Sequence, residues 1–268
     1  MKRAPLQLSP SFREKIWGAS RLEPWFRSPG SRIGEVWFSM PEGAVLPILV
    51  KFIFTSDRLS VQVHPGEEYA RAHEGCGGKS EVWYVLAAEP GARLAAGFRQ
   101  PLTRERVRRA AISGEIEDLL QWWPVSPGQV YYIPSGTVHT LGPGITLCEV
   151  QQNNPITYRF YDYGRPRELQ LDKALDVVSL TAYPGPAEPE ESSLVACPYF
   201  VTERMEVTEC RCALDTGKFH LLTAVEGSGK IGEDRFAPGQ VWFVPEGAEP
   251  FTLAAGNRAV FLRTYVPS

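Results

Sequence analysis

No uninterrupted apolar run in the chain approaches the roughly 18 residues that a membrane-spanning helix requires. The most apolar stretch, Val45 to Phe54, is broken by Pro47 and Lys51. The first ten residues carry two basic side chains with no apolar segment behind them, so no secretory leader is expected. Neither sign of charge dominates: 28 Lys and Arg stand against 31 Asp and Glu, a net charge of −3. That balance argues against nucleic-acid binding driven by bulk charge. Cysteine is scarce and odd in number, with five scattered positions, Cys76, Cys148, Cys197, Cys210 and Cys212. None forms a C-x-x-C pair, and Cys210-x-Cys212 lacks the second pair that a structural zinc site needs. Reduced thiols in a cytoplasmic protein are the expectation. Only four histidines exist, His64, His73, His139 and His220, so any site built on imidazole draws on a short set.

What the chain has instead is turn formers and aromatics. Its 268 residues include 24 Gly and 23 Pro, together with 7 Trp, 10 Tyr and 13 Phe. So much Gly and Pro disfavours a mainly helical protein, and the aromatics favour strands. The fold class expected is all-β. The length allows one large domain or two small ones. Strands are predicted over 46–54, 59–64, 82–87, 93–98, 129–133, 146–152 and 157–161, several with period-two alternation. Residues 103–121 break that pattern. Thr103 stands as an N-cap before Arg104-Glu105-Arg106-Val107, which predicts a small helical insertion, and 168–179 predicts one more helix. The cluster Arg104, Arg106, Arg108 and Arg109 reads as a solvated helix face. Residues 183–193, rich in Pro and Glu, read as an exposed linker. It divides an N-terminal unit, 1–182, from a C-terminal one, 194–268.

An internal repeat supports that division. Pro127-Gly-Gln-Val-Tyr-Tyr-Ile-Pro-Ser-Gly136 recurs as Pro238-Gly-Gln-Val-Trp-Phe-Val-Pro-Glu-Gly247. The first copy continues to Thr137-Val138-His139, the second to Ala248-Glu249-Pro250. If His139 does chemistry, only the first unit is active.

Candidate chemistry gathers on that unit. Gln62 and His64 are two apart on an alternating strand and so share a face. His139 follows a Pro-x-Gly turn, and Glu81 enters a strand after Lys79-Ser80. Two imidazoles, a carboxylate and an amide oxygen make a donor set suited to Zn²⁺ or another divalent first-row metal. His73 reads as a surface residue and His220 as a structural one.

The string Gly128-x5-Pro134-x-Gly136-x2-His139 resembles the second cupin motif, and the doubled Pro-Gly-Gln-Val string resembles the two barrels of a bicupin. More narrowly, Leu59-Ser-Val-Gln-Val-His-Pro65, Gly78-Lys-Ser-Glu-Val-Trp-Tyr84, Ile133-Pro-Ser-Gly-Thr-Val-His139 and Tyr158-Arg-Phe-Tyr-Asp-Tyr-Gly-Arg165 are similar to type I mannose-6-phosphate isomerases of the short bacterial form. The resemblance implies two jelly-roll units, the second degenerate. It implies one zinc ion held by Gln62, His64, Glu81 and His139, and interconversion of mannose 6-phosphate and fructose 6-phosphate. It also implies Arg159 and Lys79 as catalytic residues, with Lys51, Lys79 and Arg159 lining the substrate pocket. The general base stays open. The implied partner is a small sugar phosphate, with no nucleic acid or membrane, and the assembly a monomer or homodimer. Other readings are an isomerase or epimerase of a different sugar, a non-catalytic sugar-binding cupin and, more remotely, a metal oxygenase. A structural reading of Arg159 pairs it with Asp162 or Glu149. Two departures stand out. Pro155 replaces an expected carboxylate ahead of Thr157-Tyr158-Arg159, and Gly66-Glu67-Glu68 replaces paired aspartates after His64-Pro65.

Overall fold

The computed structural model describes residues 4–188, 192–212, 214 and 217–267. The first part runs β1 (Leu6–Gln7), β2 (Ser9–Ala19), β3 (Ile33–Ser39), β4 (Ile48–Phe54), β5 (Val61–Val63), α1 (Glu67–Glu74), β6 (Glu81–Ala88), β7 (Arg93–Phe98), α2 (Arg104–Ser113), α3 (Ile116–Leu119), β8 (Leu120–Pro124), β9 (Val130–Ile133), β10 (His139–Leu141), β11 (Ile145–Gln152), β12 (Tyr158–Tyr161) and α4 (Leu171–Val177). The second part is β13 (Ser193–Ala196), β14 (Val201–Cys212), β15 (His220–Glu226), β16 (Gly229–Ile231), β17 (Asp234–Phe236), β18 (Val241–Val244) and β19 (Phe251–Tyr265). The molecule is mostly β, in keeping with a cupin-like fold. No helix among the described residues is long and apolar enough to cross a membrane.

Two antiparallel sheets build the first unit, one in the order β2-β3-β4-β11-β6-β9 and the other β12-β5-β10-β7-β8. Strand alternation decides what each face meets. On the six-stranded sheet, Trp37, Lys51, Ile53, Trp83, Leu147 and Glu149 face the unit's interior. Their neighbours Val36, Phe38, Val50, Phe52, Val82, Tyr84 and Val150 face outward. That outward face is not wet. It packs on Leu194, Phe200, Leu221, Val225, Val241, Val260 and Leu262 of the second part. β4 is therefore buried along its whole length, on both faces. The five-stranded sheet is covered by helices: Val61, Val63, Tyr158 and Phe160 pack on Val107, Ala110 and Ala111 of α2, Ile116 of α3 and Leu175 of α4. Both walls are thus backed by apolar layers, and the space between them is free to hold polar groups.

The repeat seen in the sequence is a repeat of structure. In the first copy, Gly128 N–H donates to Val85 O and Val85 N–H to Gln129 O. In the second, Gly239 N–H donates to Ala224 O and Ala224 N–H to Gln240 O. Each Gln side chain closes its own turn, Gln129 Oε1 accepting from Ser126 N–H at 2.8 Å and Gln240 Oε1 from Ala237 N–H at 3.1 Å. β9 and β18 follow in the same place.

Several boundaries differ from expectation. The helical insertion is two helices, α2 and α3, and Thr103 Oγ1 accepts from Arg106 N–H as its N-cap. The helix expected over 168–179 shrinks to α4. β1 to β3 escaped the sequence reading; along the edge strand β2 the consecutive charges Arg13-Glu14-Lys15 leave no period-two apolar pattern. α1 escaped it too, although Glu67 and Glu68 in its first turn and left-handed Gly75 at its C-cap are helix signals. The first half of the linker is laid down on β9: Tyr183 OH donates to Tyr132 O at 2.6 Å and Ala187 bridges to Val130. Residues 189–191 of that linker lie outside the described residues. Cys76, Cys148 and Cys197 are free thiols, while the side chains of Cys210 and Cys212 lie outside the described set. Arg104, Arg106 and Arg108 form exposed pairs with Asp176, Glu115 and Asp172, as a solvated helix face does.

Phe52 is fully buried in the layer between the two parts, with Phe26 edge-on at 5.2 Å. Phe52→Ala is expected to cost about 3–5 kcal/mol in urea unfolding. A loss below about 1 kcal/mol would mean that this layer does not couple the two parts.

Candidate active site

Strand register sets the site out in rows. Arg159 on β12 lies opposite Gln62 on β5, and Gln62 lies opposite His139 on β10. On the facing sheet, Gln151 lies opposite Glu81, while Glu149 lies between Lys51 and Trp83. Adjacent strands are about 4.8 Å apart, so each row is contiguous. Two turns lock the ends. Gly136, at φ 88°, donates its N–H to His64 O at 2.8 Å. A Cβ there would meet Val177 O at 3.0 Å, and the positive φ itself favours glycine. Lys79 N–H donates to Pro65 O at 3.0 Å, which draws the Gly78-Lys79-Ser80 segment against the end of β5.

The two imidazoles are oriented by their outer nitrogens. His64 Nδ1 lies 2.8 Å from Ile156 O, and His139 Nδ1 lies 2.8 Å from Thr137 O. A carbonyl only accepts, so each Nδ1 carries the hydrogen and each Nε2 turns a lone pair inward. Glu81 stands between them, 3.5 Å from each Nε2. Ligand atoms of His64, Glu81 and His139 all fall within 4.8 Å of one another. Gln62 completes the group, with its amide nitrogen 3.2 Å from His139 Nε2 and its oxygen accepting from Ser60 Oγ at 3.0 Å. A half-turn of that amide would present oxygen to the centre instead.

These groups fit a divalent metal. Burial, with the Lys79 ammonium second, pushes the His64 pKa down to about 3, and burial also lowers that of His139. Both rings are therefore neutral and able to donate. Burial alone would raise the pKa of Glu81, but the Lys79 ammonium outweighs it and holds the carboxyl well below its usual range. A cation already stands among these donors: the Lys79 ammonium contacts Glu81 Oε2 and lies 2.9 Å from His64 Nε2. His64 sits behind Lys79, which separates it from the open cavity.

That cavity has a volume of about 440 Å³ and is lined by both sheets. Five of its side chains are Lys or Arg, and four of them have a carboxylate partner. Lys15 pairs with Glu35 at 3.2 Å, Lys79 with Glu81, and Arg167 with Asp162 at 2.6 Å. Lys51 donates to Glu149 at 2.8 Å and to Gln151, and lies over the Trp37 ring at 4.8 Å. Burial works to lower the Lys51 pKa, yet Glu149 and Glu35 overcome it and raise it. Arg159 differs from these four. Asp162 bonds Arg165 and Arg167, Glu149 bonds Lys51 and Trp83, and neither pairs with Arg159. Its Nε is buried without a hydrogen-bond partner, and burial together with Arg167 depresses its pKa. The backbone of Arg159 is held on both sides, its N–H donating to Gln170 Oε1 and its O accepting from Gln170 N–H, each at 3.1 Å.

The structure thus brings together all the residues singled out from sequence: Gln62, His64, Glu81 and His139 at the centre, Lys79 against them, and Lys51 and Arg159 on the cavity wall. His73 is exposed, stacked on Tyr69, and His220 is buried in the second part. Pro155 is in the cavity wall and brings no polar side chain to it. Trp83, Gln151, Glu35, Trp37, Gln170 and Arg167 were missed. Strand parity was the available signal, since Glu149 and Gln151 alternate with Cys148 and Val150 on one strand.

A cupin-like β fold with a buried His-Glu-His group under a cationic cavity defines a class of metal-site protein, and comparison with known proteins narrows it. No protein-family model matches the chain. The mannose-6-phosphate isomerase ManA of Bacillus subtilis is 31% identical over an alignment 305 positions long, covering 94% of this chain and 96% of that one. A crystal structure of the mannose 6-phosphate isomerase from Bacillus subtilis superposes with a TM-score of 0.85 at 27% identity, covering 97% of this chain and 99% of that one. A zinc-bound mannose 6-phosphate isomerase shares the fold, with a TM-score of 0.77 at 15% identity, covering 99% of this chain and 100% of that one. The chain belongs to the mannose-6-phosphate isomerase family.

Lys51 and Glu149 test whether the buried charges depend on one another. Glu149→Ala strands an ammonium and should cost about 3–5 kcal/mol, whereas Lys51→Met combined with Glu149→Leu should recover most of it. Thermal and urea unfolding of the three variants measures this; a double variant no more stable than Glu149→Ala would show that packing, not charge, sets the loss.

Proposed function

We propose that the chain is a zinc-dependent aldose–ketose isomerase that interconverts mannose 6-phosphate and fructose 6-phosphate through an enediol(ate). The observation that carries this is the juxtaposition of a buried donor set and one uncompensated guanidinium, Arg159, in a single cavity. Gln62, His64, Glu81 and His139 would hold one zinc ion. When bound, zinc supplies electrophilic stabilisation and orientation of the sugar oxygens.

The reaction moves a proton between C1 and C2 while negative charge builds on the attached oxygens. Arg159 stands next to Gln62 in the same row, so its guanidinium meets an oxygen of the sugar or its phosphate at that end of the cavity. Its charge is available for this because no carboxylate uses it. Lys79 stands at the donor set, where its ammonium holds a sugar hydroxyl and serves as a proton carrier. Lys51 donates to Glu149 and Gln151, and so shapes the wall on the substrate's other side. The pocket is of the size that takes a phosphorylated hexose and excludes much of its water.

The two parts of the chain are read as a bicupin of jelly-roll units, 1–182 and 194–268 joined by 183–193. The shared turn chemistry of the two repeats supports that reading. The second unit has Pro250 where the first has His139, so the first alone would carry activity. A soluble sugar phosphate as partner and the cytoplasm as location accord with this chemistry.

A coupled assay of zinc-loaded protein should show turnover of mannose 6-phosphate that vanishes with chelator and returns with metal. Turnover that survives complete metal removal would refute zinc dependence. Arg159→Ala should lower kcat/KM by about 10²–10³-fold, while zinc content stays at one equivalent. Metal lost together with activity would reassign Arg159 to holding the site.

A further inference from the structure

We propose that Glu67 is a positioning residue for the reaction: its carboxylate fixes the turn before Lys79 and so sets where the Lys79 ammonium stands toward the substrate. The inference rests on the isomerase reading of the cavity and deepens it.

Three of the four residues before Lys79 are glycine, Gly75, Gly77 and Gly78. Such a run has little conformational preference of its own, so contacts from outside must place Lys79. Its ammonium is held by Glu81 and by His64 Nε2. Those two groups belong to the donor set and are claimed by a metal when one is bound, so they cannot also be what fixes the lysine. Its backbone remains. Four consecutive amides of the segment are each tied down. Gly77 N–H donates to Asn154 Oδ1 at 3.2 Å, Gly78 N–H to Glu67 Oε2 at 2.8 Å, Lys79 N–H to Pro65 O at 3.0 Å and Ser80 N–H to Gln152 Oε1 at 2.8 Å. Two of these ties run through Glu67. Its Oε2 accepts from Gly78 directly and also from Gln152 Nε2 at 3.1 Å, which orients the side-chain amide that holds Ser80. One carboxylate oxygen therefore governs the peptide groups on both sides of Lys79. Glu67 is itself fixed, in the first turn of α1, with its other oxygen accepting from Arg71 Nε at 3.0 Å. The approach between the two segments is close: a Cβ on Gly78 would lie 2.6 Å from Glu67 N. The Gly78 N–H is the first cause holding the Glu67 carboxyl below its ordinary pKa, as a fixed donor does for the anion that accepts from it. Glu68, in the same helical turn, is exposed and takes no part in these bonds.

The zinc-loaded full chain carries the test. Glu67→Ala should lower kcat for mannose 6-phosphate by about 10–100-fold, with KM changed less than about threefold and zinc kept at one equivalent. Glu67→Gln keeps an acceptor oxygen for Gly78 without the charge and should recover most of that loss. Glu68→Gln removes the same charge from the same helix end and should leave kcat within about twofold of wild type. A readout independent of turnover is reductive methylation of lysines with formaldehyde and cyanoborohydride, followed by peptide mass spectrometry. Lys79 and Lys51 are nearly equally buried, at 5% and 6% exposure, so Lys51 is the internal control. In Glu67→Ala, Lys79 should label at least about fivefold faster while Lys51 does not change, the mark of a local opening. Acceleration of both lysines would mean general loosening and overturn the proposal. So would wild-type labelling of Lys79, wild-type kcat or lost zinc in Glu67→Ala, or a Glu67→Gln no more active than Glu67→Ala. A wild-type protein that turns over no mannose 6-phosphate would sink the isomerase reading, and the labelling would still decide whether Glu67 places Lys79.

Discussion

A carboxylate that is 1% exposed cannot remain charged without a cation beside it, and Glu81 organises the surrounding groups on that condition. Lys79 is that cation and contacts it directly, while two neutral imidazoles face it. Each of those partners is fixed from behind, His64 by Ile156 O, His139 by Thr137 O and Lys79 by the tie of its backbone to Pro65. The same arrangement that satisfies the carboxylate leaves two inward lone pairs and one anionic oxygen at a common point. Satisfying a buried charge and preparing a metal site are here one structural problem.

Placing such a cluster between two β-sheets requires dry backing on both sides. Period-two alternation turns Lys51, Glu149 and Glu81 inward and, on the same strands, Phe52, Val150 and Val82 outward. The outward residues need a cover, which the second part supplies on one sheet and α2 to α4 on the other. This explains why the donor set was legible in the sequence. His64 and His139 are two of only four histidines, Glu81 enters a strand beside Lys79, and Gln62 shares a strand face with His64. The compensating groups were less legible. Glu149 and Gln151 look like ordinary strand residues until the register shows what they face. Arg167 lies in an irregular segment, where no period announces its direction. The edge strand β2 was missed because its charges, Arg13-Glu14-Lys15, are consecutive and mostly exposed, and so lack the usual hydrophobic signal.

The second part repeats the turn of the first but carries other residues at the positions matched to Glu81 and His139. Its turn repeats the first one bond for bond, through Gly239, Gln240 and Ala224 in place of Gly128, Gln129 and Val85. Those contacts set where a strand begins and how it pairs, which any copy must retain to fold. The ligand positions are under no such demand. By the matched registers, Glu81↔Ile133 and His220↔Val244, the place of Glu81 is taken by His220, and that of His139 by Pro250. A proline at that point ends any possibility of the inward imidazole, yet leaves the turn intact because Ala248 N–H still bonds Pro245 O as Thr137 N–H bonds Pro134 O.

Charge compensation also distinguishes two cations of the cavity wall, Lys51 and Arg159. Lys51 and Arg159 look equivalent in sequence, each a basic residue amid apolar neighbours on a strand. Their surroundings differ in kind. The Lys51 ammonium is buried and held by Glu149, Gln151 and the face of Trp37, so removing it from those partners to grip a substrate would cost several kcal/mol. Arg159 loses nothing comparable on meeting an anion, because its charge has no carboxylate partner and its Nε no acceptor. What Arg159 does have is a fixed backbone, clamped on both sides by Gln170 at the start of α4. A guanidinium held in place but electrostatically unsatisfied has spent its positioning cost in folding, and its interaction energy remains for the ligand.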